Sequence, residues 1–204
     1  MASFSSLFLG AGFLVAAAAA LYFRSDGIGG DAAATTTHLH FFMHDDYTGP
    51  RPTAMRVVAG RSLLPAAGRP DGGDADAAAA PGSSTPPPPP PRQFGDMVVL
   101  NNALTEGPGG ESARVGAAQG FAVRLSEGGV VSHLTLHLVL DAGDHRGSSV
   151  TVSGRIDMDA AARESVVVGG TGKFRLARGY MVTRNYDYSL VSGGVIEIDV
   201  YLQH

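Results

Sequence analysis

A strict alternation of apolar and polar residues constrains the fold of this chain more than any other feature. In residues 132–138, SHLTLHL, three leucines point to one side of an extended chain, and His133, Thr135 and His137 point to the other. Residues 195–202, VIEIDVYL, repeat the pattern. A period of two residues is that of a β-strand with one buried face, so both segments are predicted to be strands.

The chain after residue 23 offers further strand candidates and no convincing helix. The candidates are residues 38–43, 54–59, 96–100, 114–125 (broken by Gly120), 148–156, 164–168 and 174–183. A content of 28 glycines with only 17% charged residues also favours a β-rich domain with many tight turns. Eight or nine short strands at regular spacing predict an all-β fold, either an antiparallel sandwich or a closed barrel. A barrel of about eight strands can hold one small ligand inside.

The segment GGTGK at 169–173 raises the question of a phosphate-binding loop. Such a loop needs a glycine five residues before its Gly-Lys pair and a Ser or Thr directly after it. Val167 and Phe174 occupy these two positions, so the motif fails. We predict instead a hairpin turn between two strands, in which the glycines supply positive φ angles.

Composition excludes several classes of function. With a net charge of −4, the chain is not expected to have the basic face that general nucleic-acid binding needs. The absence of cysteine removes disulfides, thiolate nucleophiles and Cys-based zinc sites. No G-x-S-x-G sequence occurs, which leaves a hydrolase with little support.

An apolar run at the N-terminus bears on the compartment of the protein. Residues 7–23, LFLGAGFLVAAAAALYF, are uncharged and include small residues that suit cleavage of a secretory signal peptide. The length of this run also lies at the lower edge for an uncleaved membrane anchor. We expect a signal peptide or an anchor over 1–23, a flexible lead-in over 24–37, and the folded domain over 38–204 outside the cytosol.

A low-complexity segment at about 65–93 interrupts the strand pattern. It contains a run of six prolines, 86–91, which cannot donate hydrogen bonds to a sheet. We therefore predict an exposed loop with polyproline II character. It is either a tolerated surface insertion or a docking site for a proline-binding partner.

Ionisable residues at the predicted strand ends are candidates for chemistry. They are His44, Asp45 and Asp46, then Arg155 and Asp157, and then Arg163 and Glu164. If the sheet closes, these ends can meet around one cavity, where a carboxylate and an arginine can bind phenolic or carbonyl oxygens and move a proton. Ordinary surface ion pairing explains the same pattern. His133 and His137 share a face, but without a third ligand nearby we predict solvent-facing residues and no metal site.

Several short motifs, in order, resemble those of plant dirigent proteins. They are FMHDDYTG at 42–49 with PTA at 52–54, FGDMVV at 94–99, LTEGP at 104–108, VGAAQGF at 115–121, GSSV at 147–150, GR at 154–155, RE at 163–164, VGGTGKFR at 168–175 and ARGY at 177–180. The resemblance covers about 38–204 and skips the Pro-rich segment. It implies that the GGTG segment is a turn between barrel strands.

The resemblance implies an eight-stranded antiparallel β-barrel of the dirigent and allene oxide cyclase kind, forming a homotrimer secreted into the plant cell wall. Such proteins carry no redox cofactor. A separate laccase or peroxidase makes phenoxy radicals from monolignols, and the dirigent protein holds the radicals or the derived quinone methide so that one stereoisomer forms. Some relatives are catalysts that close an oxygen ring with loss of water, as in pterocarpan formation. An alternative is a non-catalytic secreted barrel that binds cell-wall phenolics or glycans in defence.

The resemblance also assigns roles to individual residues. Asp45 matches the aspartate of the family's His-Asp pair, and Arg163 matches an arginine that we expect to clamp a phenolate or carbonyl oxygen. The position of the family's second cavity aspartate is occupied here by Ile156. The neighbouring Asp157 is able to replace it only if a β-bulge turns the Asp157 side chain to the inner face of the strand. Ala122 stands where an aromatic residue is usual. We expect substrate contacts from four aromatic residues in the matching segments: Phe42, Phe121, Phe174 and Tyr180.

Overall fold

The computed structural model describes residues 35–61 and 92–204, which are almost entirely strands and turns. The strands are β1 Thr36–Asp46, β2 Ala54–Val58, β3 Met97–Thr105, β4 Arg114–Arg124, β5 Val131–Leu140, β6 Ser149–Asp157, β7 Arg163–Thr171, β8 Arg178–Ser189 and β9 Gly193–Gln203. Within these ranges no helix is long and apolar enough to cross a membrane. The predicted signal segment, nearly all of the lead-in and the proline run lie outside the described residues.

The strands form one antiparallel sheet that closes on itself. Sequence neighbours pair from β2 to β9 in order, and β9 then pairs with β1 along the whole length of β1. Closure comes from β1 against β3, where Met43 lies opposite Leu104. Strand β2 continues along the same edge of β3, with Ala54 opposite Leu100. The result is an eight-stranded antiparallel barrel with β2 as an added segment, which confirms the predicted fold class.

Apolar side chains fill one end of the barrel completely. Alternate residues of the strands point inward, and this core includes Leu138, Val150, Phe174 and Leu202, all at most 3% exposed. Because this end is closely packed, the cavity lies at the opposite end of the barrel. Asp45 on β1 and Arg163 on β7 are located there.

Two details of the strand prediction are wrong. Gly120 does not break β4: the strand runs through it, and a Cβ there would lie 2.0 Å from the Thr135 carbonyl oxygen, so the glycine permits close strand pairing. Residue 174 does not begin a strand, because Gly172–Phe174 form a short 3-10 turn and β8 begins at Arg178. The predicted GGTG turn is also shorter than expected: Gly169 and Gly170 lie within β7 and pair with β6, and of the three glycines of this segment Gly172 alone has a positive φ, +61°.

Candidate functional site

A cavity opens at the less filled end of the barrel. Its inner chamber has a volume of about 60 Å³ and widens into an outer pocket of about 430 Å³. The two parts share four lining residues, so we treat chamber and pocket as one site. These residues are Tyr47, Arg92, Val98 and Arg124. The apolar wall of the chamber includes Met43, Val98, Leu134, Leu136, Ile156 and Ile196. Its polar groups include Asp45, Tyr47, Arg92, Arg124, Arg163 and Tyr188.

Asp45 is the one carboxylate among the residues described at the chamber wall. It points inward from β1 at the same parity as Met43, and it is 6% exposed. Asn102 Nδ2 donates a hydrogen bond to its Oδ1 at 3.2 Å, and the Tyr188 hydroxyl donates to its Oδ2 at 3.4 Å. Burial raises the pKa of Asp45, and these hydrogen bonds offset only part of that effect. The carboxyl group is therefore suited to accept and return a proton.

Tyr47 and Tyr188 extend this polar group. Their hydroxyl oxygens lie 2.5 Å apart, and since Tyr188 donates its proton to Asp45, Tyr47 donates to Tyr188. Burial, reinforced by the negative charge of Asp45, raises the pKa of both phenols. Both tyrosines therefore stay neutral, so they are able to donate hydrogen bonds at any physiological pH.

Tyr188 reaches the chamber because β8 contains a bulge. The pairing of β8 with β9 shifts between Asn185 and Asp187. Met181 and Thr183 point inward, and unbroken alternation would place Asn185 and Asp187 inside as well. The bulge moves Tyr188 inward instead and leaves Asp187 exposed. Sequence alternation alone carries no signal for this, so Tyr188 was missed.

Arg163 points into the chamber from the start of β7 and is 4% exposed. Its Nε donates to Thr183 Oγ1 at 3.2 Å and its Nη1 to the Ala160 carbonyl at 3.4 Å, while Nη2 is buried without a hydrogen-bond partner. Burial lowers its pKa, although the guanidinium stays charged. The unused N–H groups are placed to bind an oxygen atom of a ligand.

Two further arginines, which sequence analysis missed, lie where the chamber meets the outer pocket. Arg124 is 7% exposed and donates from Nη1 to Ser132 Oγ at 2.8 Å, while its Nε has no partner. Arg92 lies over the Tyr47 ring at 5.3 Å and donates to the Leu190 carbonyl. The inward parity that Arg124 shares with Ala122 on β4 could have revealed it. Arg92 follows the Pro-rich segment, where no periodicity helps.

The structure brings two of the predicted catalytic residues together and not the third. Asp45 and Arg163 both line the chamber. Asp157 lies outside it, 3.3 Å from Arg155, because β5 and β6 pair without a bulge and Ile156 takes the inward position. Ala122 also lines the chamber, so both departures from the family pattern fall at the site.

None of the four predicted aromatic contacts lines the chamber or the outer pocket. Phe42 and Phe121 lie at the outward parity of β1 and β4, and Phe42 packs edge-on against Tyr186. Tyr180 is exposed and stacks on Tyr201. Phe174 is fully buried at the filled end of the barrel, so it acts there as a core residue. The aromatic groups at the site are instead Tyr47 and Tyr188.

The two histidines of β5 lie on the outer surface of the barrel. His133 and His137 are exposed, and they hydrogen-bond to Ser153 and Thr151 on β6. Among the described residues, the closest group to a metal-binding arrangement is His40, Glu197 and Asp199, whose possible ligand atoms lie within 4.8 Å of one another.

Asp199 in that outer group is already satisfied by three donors. His38 Nε2, His40 Nδ1 and Arg184 Nη1 lie 2.8, 3.0 and 3.0 Å from its oxygens. Partial burial raises the pKa of Asp199, but these bonds outweigh it and leave the pKa below its usual range. Because Arg184 offsets the charge that a metal would need, we interpret this group as a surface hydrogen-bond network.

Comparison with known proteins gives a consistent result. The profile of the family described as Dirigent-like protein matches residues 36–203. Pterocarpan synthase 1 of Glycine max is 34% identical over 170 residues, covering 82% of this chain and 78% of the relative. Dirigent protein 1 of Arabidopsis thaliana is 32% identical and covers 82% and 79%. The structure of the pterocarpan synthase dirigent protein GePTS1 superposes with a TM-score of 0.68 at 28% identity, covering 87% of this chain and 92% of that one.

Proposed function

The chain belongs to the dirigent-like protein family, and on this premise we propose that it gives stereocontrol to bond formation at a phenol-derived intermediate in phenylpropanoid metabolism. The reaction that the site fits best is closure of an oxygen ring through a quinone methide. The observation that carries this proposal is the pairing, in one mostly apolar chamber, of a buried carboxyl group of raised pKa with a buried arginine that keeps an unused N–H.

In the proposed reaction, Asp45 handles the proton and Arg163 holds the phenol oxygen. The substrate is bound as its phenolate, and protonated Asp45 donates to its benzylic hydroxyl. The C–O bond breaks as water leaves, and the phenolate becomes a neutral quinone methide. A second hydroxyl of the same molecule then attacks the methide carbon, its proton returns to the Asp45 carboxylate, and the ring becomes aromatic again. The sum is one C–O bond broken, one C–O bond formed and one water released, so no oxidant is needed. Arg163 would hold the phenolate oxygen before water leaves, the carbonyl oxygen of the quinone methide, and the phenolate that forms again on ring closure.

The shape of the site supports closure within one molecule. The inner chamber admits only part of a ligand, and the wider pocket is large enough for the remainder of one such molecule. Apolar walls on several sides would restrict the conformers of a flexible intermediate, which is how a binding site selects one face of attack. Relatives named pterocarpan synthase, at 34% and 31% identity, agree with this choice.

Chiral product analysis tests the proposal. The purified protein would be supplied with a hydroxyisoflavanol as the ring-closure substrate and, separately, with coniferyl alcohol and a one-electron oxidant. We expect faster closure of the isoflavanol with one enantiomer favoured over the protein-free control. An enantiomeric excess only in the coniferyl alcohol lignans would replace ring closure by radical coupling, with a laccase or peroxidase as the partner. Binding of phenolics without an effect on either reaction would favour the non-catalytic defence role.

We further propose that the protein is a secreted homotrimer. The leader-like run at 7–23 supports secretion. An apolar strip on the outer surface supports assembly: Val166 lies opposite Tyr180 on the neighbouring strand, and Tyr180 lies opposite Tyr201, with all three side chains exposed. Light scattering coupled to size-exclusion chromatography tests the trimer, and Val166→Glu is expected to give monomers. N-terminal sequencing of protein secreted by plant cells tests the cleaved leader.

A further inference from the structure

The outer part of the site contains more positive charge than a neutral phenol needs. We propose that the preferred substrate is a phenol that also carries a carboxylate, held at the mouth of the chamber by Arg124 and Arg92. The phenolic part of this inference rests on the proposed function. The carboxylate part rests on the contacts of these two arginines.

Arg124 and Arg92 each keep an unused hydrogen-bond donor that is shielded from solvent. Arg124 Nε and Arg92 Nη1 are buried and make no hydrogen bond. The described ion pairs include neither Arg124, Arg92 nor Arg163. A buried donor without a partner keeps the cost of its lost hydration, and this cost is larger when the donor is charged. A ligand that supplies acceptors at this point therefore gains binding energy.

The two guanidinium groups also repel each other. The positive charge of Arg92 is one cause of the lowered pKa of Arg124, after burial. Two cations held close together in a partly enclosed site form a natural anion site, because one anion can neutralise both. The planar guanidinium donors match the two oxygens of a carboxylate in geometry.

The balance of charged side chains in the whole site also favours an anionic ligand. Arg56 and Asp96 in the outer pocket pair with each other at 3.3 Å. That leaves three arginines against one carboxyl group, Asp45, among the described residues of the site. Arg163 lines only the inner chamber, whereas Arg124 and Arg92 line both parts. A phenol oxygen bound by Arg163 and a carboxylate bound at the mouth would thus lie at opposite ends of one ligand.

Calorimetric binding of ferulate and coniferyl alcohol to the full protein tests this inference. The two ligands share the same aromatic ring and differ in carboxylate against alcohol. We expect ferulate to bind at least tenfold more tightly at low ionic strength, with the preference shrinking as salt is added. Methyl ferulate, which lacks the charge, is expected to bind like the alcohol. Equal affinity of all three ligands for folded protein would overturn the inference.

Variants separate the mouth from the chamber. Arg124→Met and Arg92→Met are expected to remove the preference for ferulate over coniferyl alcohol, whereas Arg163→Met should weaken both ligands and keep the preference. Arg155→Met, on the outer surface, is the matched control and should change neither. A preference that persists in both Arg124→Met and Arg92→Met, with folding verified by thermal melting, would overturn the assignment of these residues.

The binding result is independent of turnover. A ferulate preference without ring closure would sink the proposed reaction and leave the carboxylate site in place. Ring closure of a neutral isoflavanol without any preference for ferulate would support the proposed reaction and overturn the carboxylate site. Inorganic sulfate serves as a further arm: if it competes with ferulate at equal concentration, the mouth recognises anions in general, and the carboxylate assignment fails.

Discussion

The Tyr188 hydroxyl donates to the Asp45 carboxylate at 3.4 Å, although the two residues lie 143 positions apart and on strands that do not pair. Strand β9 lies between β1 and β8 in the sheet, so this contact passes over β9 on the inner side of the barrel. It depends on the bulge in β8, and it links the carboxyl group to Tyr47. Asp45 is thus held in a fixed position by side chains from two other strands, β3 and β8, and, through Tyr188, by Tyr47 in the turn after β1.

Replacing Asp45 is expected to abolish activity without unfolding the barrel. Asp45→Asn keeps the shape and the Asn102 contact but cannot exchange a proton, so ring closure should slow roughly 100-fold or more. Chiral chromatography of the product measures the rate and the enantiomeric excess. The same substitution at Asp157 tests the outer position: a comparable loss in Asp157→Asn would show that the proton-handling group has been misassigned.

The raised pKa of Asp45 also predicts how stability depends on pH. In the unfolded chain this carboxyl loses its proton near the ordinary value of 3.8, while the folded protein holds the proton to higher pH. Its contribution to stability is therefore fully present below that value and is lost as pH rises through the folded pKa. Asn carries no charge to bury, so Asp45→Asn should melt at a higher temperature than the parent at pH 7 and show a smaller advantage at pH 3. Thermal melts across this range would contradict the assignment if the variant were less stable at pH 7.

Arg163 is expected to matter more for chemistry than for stability. Arg163→Met removes the donor to the phenol oxygen, and loss of one such donor typically costs roughly 100-fold in rate. Because the guanidinium is buried without an ion pair, its replacement by an apolar chain of similar length should leave the melting temperature unchanged or higher. Arg155→Met is the exposed control for both measurements. Stereocontrol retained in Arg163→Met would exclude the proposed clamp.

The size of the chamber depends on Ala122. Ala122→Phe would place a ring into a chamber of about 60 Å³, so we expect loss of ligand binding together with destabilisation of about 1–3 kcal/mol. Phe121→Ala changes the neighbouring residue on the outer face and should leave ligand affinity unchanged. Isothermal titration of both variants decides the matter. Weakened binding in Phe121→Ala alone would restore the original expectation for that residue.

Phe174 is predicted to be a structural residue and not a substrate contact. It is fully buried against the rings of His145 and His204 at the filled end of the barrel. Phe174→Ala should lower the free energy of unfolding by about 3–5 kcal/mol through the cavity it creates. Chemical denaturation measures that loss. Ligand affinity of the folded fraction should be unchanged, and a specific loss of affinity in a stable variant would contradict this role.

Alternation and family motifs predicted the barrel and two groups of the site, and they failed where local geometry departs from a regular strand. The period of two residues around Leu136 and Ile198 fixed the faces of β5 and β9, and the motif match led to Asp45 and Arg163. The four predicted aromatic contacts lie away from the chamber, because motif residues such as Phe174 and Tyr180 occupy core or surface positions. Tyr188 needed the β8 bulge, which depends on pairing with β9 and has no local signature in the sequence.

The position of β9 between β1 and β8 has a consequence for biosynthesis. During translation β1 emerges early, yet its full-length partner is the last strand of the barrel to be made. Until then β1 and β8 present open edges and a half-exposed apolar face, which are the features that promote aggregation of a nascent chain. We expect the barrel to close only after β9 has been made, so chaperones that cover the open edges of β1 and β8 until then would raise the yield of this protein.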